Sequence, residues 1–256
     1  MIFHRSRTKK PTDSFTKGTS APLVALNPGD STYIQLETHF LEGWKHPQKP
    51  KPYVRAIFEI VAPEENLIAF WRYRALVELS RVPKHANEQM LFHGTSRKCL
   101  LGDRKRRTRL CKLPGCLLCS VIRSSFDIAK CGTRHNFRRF GNGIYTTDCS
   151  SKADDYFAGA PESPFRAVLV NRVIVGTPFK RKGNAKDLTE PPSGYHSVIV
   201  VGEPGHHLNY GETVVYNNDA IRPAYLIVYG RTPAPETHAN NFRSIISTLF
   251  KTPMAS

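Results

Sequence analysis

Residues 210–229 read YGETVVYNNDAIRPAYLIVY. Glu212 to Tyr216 and Ile221 to Tyr229 are rich in β-branched and aromatic residues, which fit a pleated surface, so both runs read as strands. Upstream, Phe165 to Val175 and His196 to Val201 repeat the pattern, with Gly, Pro and Asn turns between runs. Tyr53 to Val61 (YVRAIFEIV) is a further strand, and Glu88 to Thr95 (EQMLFHGT) is a short one running into a turn. Helices are fewer. Pro63, Glu64 and Glu65 form an N-terminal signal, since proline suits the first helical position and acids suit the positive end of the helix dipole. Ile68, Trp71, Ala75 and Leu79 then follow at helical spacing, predicting an amphipathic helix to about Val82. Ser150 to Ala158 is a second, short helix, and Arg139 to Thr147 is extended and glycine-punctuated. Strands outweigh helices and no repeat is visible, which predicts an α+β class with sheets packed on each other.

The bulk numbers bound the rest. A chain of 256 residues makes one large domain or two small ones, and its 40% hydrophobic and 23% charged content is ordinary for a globular protein. No apolar run reaches the roughly 18–20 residues that cross a bilayer. The N-terminus MIFHRSRTKKPTDSFTKG lacks the apolar core of a signal peptide, so an intracellular location, nuclear or cytoplasmic, is expected. The basic run Arg5 to Lys10 is compatible with nuclear import. A net charge of +16 predicts attraction to polyanions, phosphates first. Residues 1–21 read as a basic flexible tail, 22–230 as the main domain and 231–256 as a C-terminal tail. In that tail Phe242, Ile245, Ile246, Leu249 and Phe250 keep helical spacing.

Three segments carry the chemistry: LFHGTS at 91–96, FGNGIYTTDCSSKADDYF at 140–157, and the stretch 210–229. In this order and spacing they resemble the poly(ADP-ribose) polymerase-like family of ADP-ribosyltransferases, over roughly Tyr53 to Tyr229. The resemblance implies two packed, mainly antiparallel sheets with flanking helices. It also implies NAD⁺ as substrate, with ADP-ribose passing to a protein or nucleic-acid acceptor and His93, Tyr145 and Glu212 as the catalytic set. His93 would bond the adenosine-side ribose, Gly94 would let the backbone approach the nicotinamide amide, Thr95 would bond ribose, and Tyr156 would stack on the nicotinamide ring. Many members carry a serine three residues before that tyrosine; here the position is Ala153, with Ser151 nearby. Loss of one neutral hydrogen bond costs about 1 kcal/mol. Lys152, between the two tyrosines, reads first as a solvated lysine, with contact to the donor side or an acceptor as the alternative.

The residue types suit the reaction. Breaking the nicotinamide–ribose bond builds an oxocarbenium-like positive charge on the sugar, while nicotinamide leaves as a neutral molecule. A carboxylate beside that ribose stabilises the charge and can orient an acceptor hydroxyl. An aromatic face against the cationic ring adds about 1–2 kcal/mol. Two other readings share these residues: an NAD⁺ hydrolase, and a catalytically degenerate fold serving as a nucleic-acid-binding module.

Residues 96–120 differ from the rest in being dense in cations and cysteines and lacking periodicity, as an insertion would. Cys111, Cys116 and Cys119 form C-x₄-C-x₂-C, and a structural zinc requires four ligands in a tetrahedron. Cys131 is the first choice for the fourth, with Cys99 and His135 as alternatives. Cys149 reads as a packed thiol. Arg104, Lys105, Arg106, Arg107 and Arg109 on the same stretch suggest contact with DNA or RNA phosphates.

Overall fold

The computed structural model describes residues 22–80, 85–130, 139–201 and 209–231. The expected tail at 1–21, the C-terminal helix beyond Arg231, Cys131 and His135 lie outside these residues. The strands are β1 (Leu23–Ala25), β2 (Tyr53–Ile60), β3 (Glu88–His93), β4 (Ile144–Thr146), β5 (Arg166–Ile174), β6 (Pro178–Arg181), β7 (Ser197–Val200), β8 (Glu212–Val215) and β9 (Ile221–Gly230). The α-helices are α1 (Ser31–Glu42), α2 (Glu64–Leu79), α3 (Leu117–Ser124) and α4 (Ser150–Asp155). One sheet has the order β1-β2-β9-β5-β3 and is antiparallel throughout. The other has the order β4-β8-β7-β6, with β6 and β7 its one parallel pair. This is the α+β arrangement of two mainly antiparallel sheets. No helix among the described residues is long and apolar enough to cross a membrane.

Side-chain alternation along the strands divides the core. Ile57, Val168, Val170, Ile227 and Tyr229 face one side of the five-stranded sheet and meet Tyr33, Leu36 and Phe40 of α1. Those three positions are spaced three and four residues apart, one face of a helix. Ala56, Phe58, Ala167, Leu169, Leu226 and Val228, one residue out of phase, face the other side. There they meet Ile144 and Val215 of the second sheet and Leu118, Cys119 and Ile122 of α3. β5 and β9 are covered on both faces, which is why they are nearly continuous apolar runs.

Two expectations are corrected by this packing. The stretch 96–120 is part of the scaffold: Leu101, Cys116, Leu118 and Cys119 are buried in the largest core cluster. Helix α2 forms, but its buried face is Phe70 and Val77 with Tyr73 packed alongside, against Ala86 and Ile174. Ile68, Trp71, Ala75 and Leu79 are exposed. Apolar residues occur all round α2, so periodicity alone allowed two faces. Trp71 is instead flanked by guanidinium groups, Arg172 at 4.5 Å and Arg74 at 5.7 Å from the ring centroid.

Candidate active site

The two sheets are stitched together where the three motifs meet. The end of β3 bridges to the residue after β4, with Phe92 N donating to Thr147 O at 2.8 Å and Thr147 N to Phe92 O at 3.1 Å. A step on, His93 Nδ1 lies 2.8 Å from the carbonyl of Tyr145, which fixes the ring and implies a protonated Nδ1. The His93 ring also meets Phe126 edge-on at 5.1 Å. Burial holds the His93 imidazole below its usual pKa, against the smaller opposing effect of the Tyr145 carbonyl. On the far side of β4, Tyr145 pairs with Val214 of β8, and Thr147 Oγ1 donates to Gly211 O at 2.8 Å, beside Glu212. His93, Tyr145 and Glu212 thus lie on three adjacent chain segments linked by hydrogen bonds.

The Tyr145 phenol donates to Gly141 O at 2.9 Å and accepts from Phe140 N at 3.0 Å. It thereby closes the FGNGIY turn, in which Gly141 has φ +66° and its Cα packs on Leu188: a Cβ there would lie 1.8 Å from Leu188 O. Gly94 is needed for a different reason. A Cβ on it would sit 1.8 Å from the carbonyl oxygen of Ala153 and 3.2 Å from the Tyr156 Cβ. The turn after His93 is therefore pressed onto α4, bringing Tyr156, about half exposed, to the same place. Thr95, next along, is buried. Burial, then Glu212 and Asp155, raise the Tyr156 phenol above its usual range.

Lys152 is not solvated. Its side chain is 11% exposed, and Nζ donates to Glu212 Oε1 at 2.9 Å and to Tyr210 O at 2.8 Å. Burial lowers its pKa while Glu212 opposes the shift. An ammonium group thus fixes the orientation of the almost buried Glu212 carboxylate. Ser151 is also elsewhere than expected: it is fully buried, and its hydroxyl lies 2.9 Å from Lys45 N, 3.1 Å from His46 N and 2.7 Å from His46 Nδ1. It staples the loop after α1 to α4 and cannot replace the hydroxyl missing at Ala153, which is itself in the core.

Sequence reasoning missed what holds α4. Asp154, 1% exposed, accepts from Lys49 Nζ at 2.8 Å, from the Tyr229 hydroxyl at 2.7 Å and from Arg166. Burial pushes its carboxyl up, but these donors together outweigh it and hold the group below its usual range. The pattern joins residues 49, 154, 166 and 229, so no local spacing announces it.

The cysteine cluster adjoins this site. The Sγ atoms of Cys99, Cys111, Cys116 and Cys119 all lie within 4.8 Å of one another, with Cys99 at 3.8 Å from Cys116 and 3.6 Å from Cys119. Among the described residues Cys99, one of the two alternatives, completes the set; the first choice, Cys131, lies outside them. Cys116 caps α3 and Cys119 lies in its first turn. Lys98 N donates to Cys116 Sγ at 3.3 Å. The hydrogen bond from Cys119 draws Cys99 down to about 5, while that shared proton raises Cys119. Helix α3 leads directly to Phe126, the ring against His93. Cys149 is a buried thiol, 3.2 Å from the Ser151 hydroxyl.

Part of the chain, including β4 and α4 at this junction, is similar to a poly(ADP-ribose) polymerase catalytic domain. The family model described as "Poly(ADP-ribose) polymerase catalytic domain" matches residues 117–207. The chain is similar to "Poly [ADP-ribose] polymerase 1" of Xenopus laevis, 38% identical over 63 residues, a match covering 25% of this chain and 6% of that protein. The family match contains Tyr145 and Tyr156 but stops short of both His93 and Glu212. Those two residues are joined to it by the hydrogen bonds from His93 to Tyr145 and from Thr147 to Gly211, and by the Lys152–Glu212 pair.

Proposed function

We propose that the domain cleaves the nicotinamide–ribose bond of NAD⁺ and transfers ADP-ribose to a protein or nucleic-acid acceptor. The observation that carries this reading is the Lys152–Glu212 pair, 2.9 Å apart, which ties β8 to α4, the helix that ends at Tyr156 and packs against Gly94. In this reading Glu212 accepts the 2′-hydroxyl of the nicotinamide ribose and faces the positive charge as it grows. The carboxylate is preoriented, so no reorganisation is needed at the moment of bond breaking. Tyr156 presents its ring to the cationic nicotinamide, the backbone at Gly94 reads the carboxamide, and His93 and Thr95 bond the sugar side. Ala153 supplies no hydroxyl and Ser151 is committed elsewhere, so nicotinamide is held by one hydrogen bond fewer, a loss of about 1 kcal/mol.

The cysteine tetrad in this reading holds a structural zinc. Thiolates 2.3 Å from a tetrahedral zinc lie about 3.8 Å apart. The separations of 3.6 and 3.8 Å fit that value, and four protein ligands leave no open position for catalysis. Zinc there would tie the chain just beyond His93 to α3, and so to Phe126.

The test is incubation of the purified chain with NAD⁺ labelled in the adenosine half, together with protein, DNA or RNA separately. Free nicotinamide and label that protease or nuclease releases from the acceptor are expected. Label found only as free ADP-ribose would instead make the protein an NAD⁺ hydrolase.

A further inference from the structure

The cations at 104–109 are not needed by the donor site, and the structure gives them a common scaffold. Residues 99–111 form a loop whose first and last members, Cys99 and Cys111, both belong to the tetrad. Beneath it runs Arg97, fully buried, donating to Leu101 O at 2.7 Å, Asp103 Oδ1 at 2.6 Å, Ser163 Oγ at 2.5 Å and Phe165 O at 2.7 Å. Within the loop, Gly102 N donates to Arg107 O at 2.9 Å and Arg107 N to Arg104 O at 2.8 Å. The backbone carrying the arginines is therefore held from below and, through the thiols, at both ends.

On this loop lies an open cleft of about 390 Å³, lined by Cys99, Leu100, Leu101, Arg106, Arg107, Thr108 and Arg109. Residues 96–120 contain eight Lys or Arg and one acid, Asp103, which Arg97 takes. Among the described residues no carboxylate pairs with Arg104, Lys105, Arg106, Arg107 or Arg109. Each guanidinium offers a planar fork matched to phosphate. Three forks and a hydroxyl around one cleft, with further cations outside it, suit a ligand with successive phosphates better than one small anion.

We propose that this cleft binds the phosphodiester backbone of a nucleic-acid strand, and that the metal on the tetrad is what holds it in binding form. The proposal rests on the zinc reading above. Because Cys99 is both a cleft wall and a tetrad member, releasing the metal frees the two ends of the loop together and scatters the arginines.

The test uses the full chain and fluorescein-labelled single-stranded 20-nucleotide DNA and RNA, followed by anisotropy across a salt series. Binding should weaken as salt rises. A triple variant Arg106→Gln, Arg107→Gln, Arg109→Gln should lower the log–log salt slope by about 2, at roughly 0.7 per phosphate contact on a single strand. At 50–200 mM salt the wild type should then lose about 20-fold more affinity than the variant. A control triple variant, Lys180→Gln, Arg181→Gln, Lys182→Gln, removes the same charge from β6 and its flank and should change the slope by less than one unit. Chelation should bring the wild type to the level of the arginine variant, and zinc should restore it. Equal weakening by the two triple variants would overturn the proposal, as would displacement of the strand by ADP-ribose or polyglutamate at matched charge. Metal analysis of the same samples separates the two failures. An absence of zinc in the wild type overturns the underlying reading, whereas one zinc per chain with affinity indifferent to its removal overturns the proposal alone.

Discussion

Replacing Lys152 with methionine removes an ammonium group and keeps most of the side-chain volume. In the folded chain that group sits 2.9 Å from Glu212 Oε1 and 2.8 Å from Tyr210 O, with side-chain exposures of only 11% for Lys152 and 9% for Glu212. The lost interaction is a charge-assisted hydrogen bond in a site largely shielded from solvent, worth about 2 kcal/mol. If Glu212 stabilises the ribose cation, the ammonium aligns it in the ground state. The expected result is about a 30-fold drop in kcat/KM for nicotinamide release at pH 7, at 1.36 kcal/mol per factor of ten. Lys152→Arg, which keeps the charge, should retain more activity than Lys152→Met at every pH. Thermal melts of each variant separate this effect from loss of fold. A Lys152→Met protein with a wild-type melt and a rate within twofold of wild type would refute the reasoning.

Three further outcomes are expected. Gly94→Ala puts a methyl group 1.8 Å from Ala153 O, so the turn and α4 must part by an ångström or more; nicotinamide release should fall about 100-fold at a temperature where melts show the chain folded. Asp154→Asn leaves Lys49, Arg166 and the Tyr229 hydroxyl around a neutral group, which should cost about 3–5 kcal/mol and lower Tm by about 10 °C in a melting experiment. Stability should also depend on pH in a definite direction: His39, His46 and His93 are all held below their unfolded values near 6.5, mainly by burial. The unfolded chain then binds more protons, so their contribution is complete above about pH 6.5 and is lost as pH falls through their lowered folded values. Asp154, also lowered, adds a second loss further down, in the carboxylate range, and denaturant titrations from pH 8 to 4 should follow that order.

How much of this was legible in the sequence varied with how local the cause was. β5 and β9 could be read because both of their faces are buried, leaving apolar runs that no other element explains. β1 and β6 were missed: the first is three residues long and the second is Pro-Phe-Lys-Arg, paired on one side only. Helix α1 (STYIQLETHFLE) was missed because its buried face is only Tyr33, Leu36 and Phe40 among polar neighbours. The face of α2 was read wrongly because its apolar residues surround it, and only packing against Ile174 and Ala86 selects Phe70 and Val77. At the site, residue types within motifs were readable, but bonds between distant segments were not. Lys152 reaching Glu212, Ser151 holding residues 45 and 46, and Cys99 joining cysteines 12 to 20 positions away are all products of the fold.

The central claim is that the Glu212 carboxylate carries the bond-breaking step, and the direct measurement is the single-turnover rate of nicotinamide release by Glu212→Gln beside the wild type. Removal of the negative charge with little change of shape should slow cleavage by about 100- to 1,000-fold at a temperature where melts show the variant folded. A glutamine variant that releases nicotinamide within a few-fold of the wild-type rate would contradict the account.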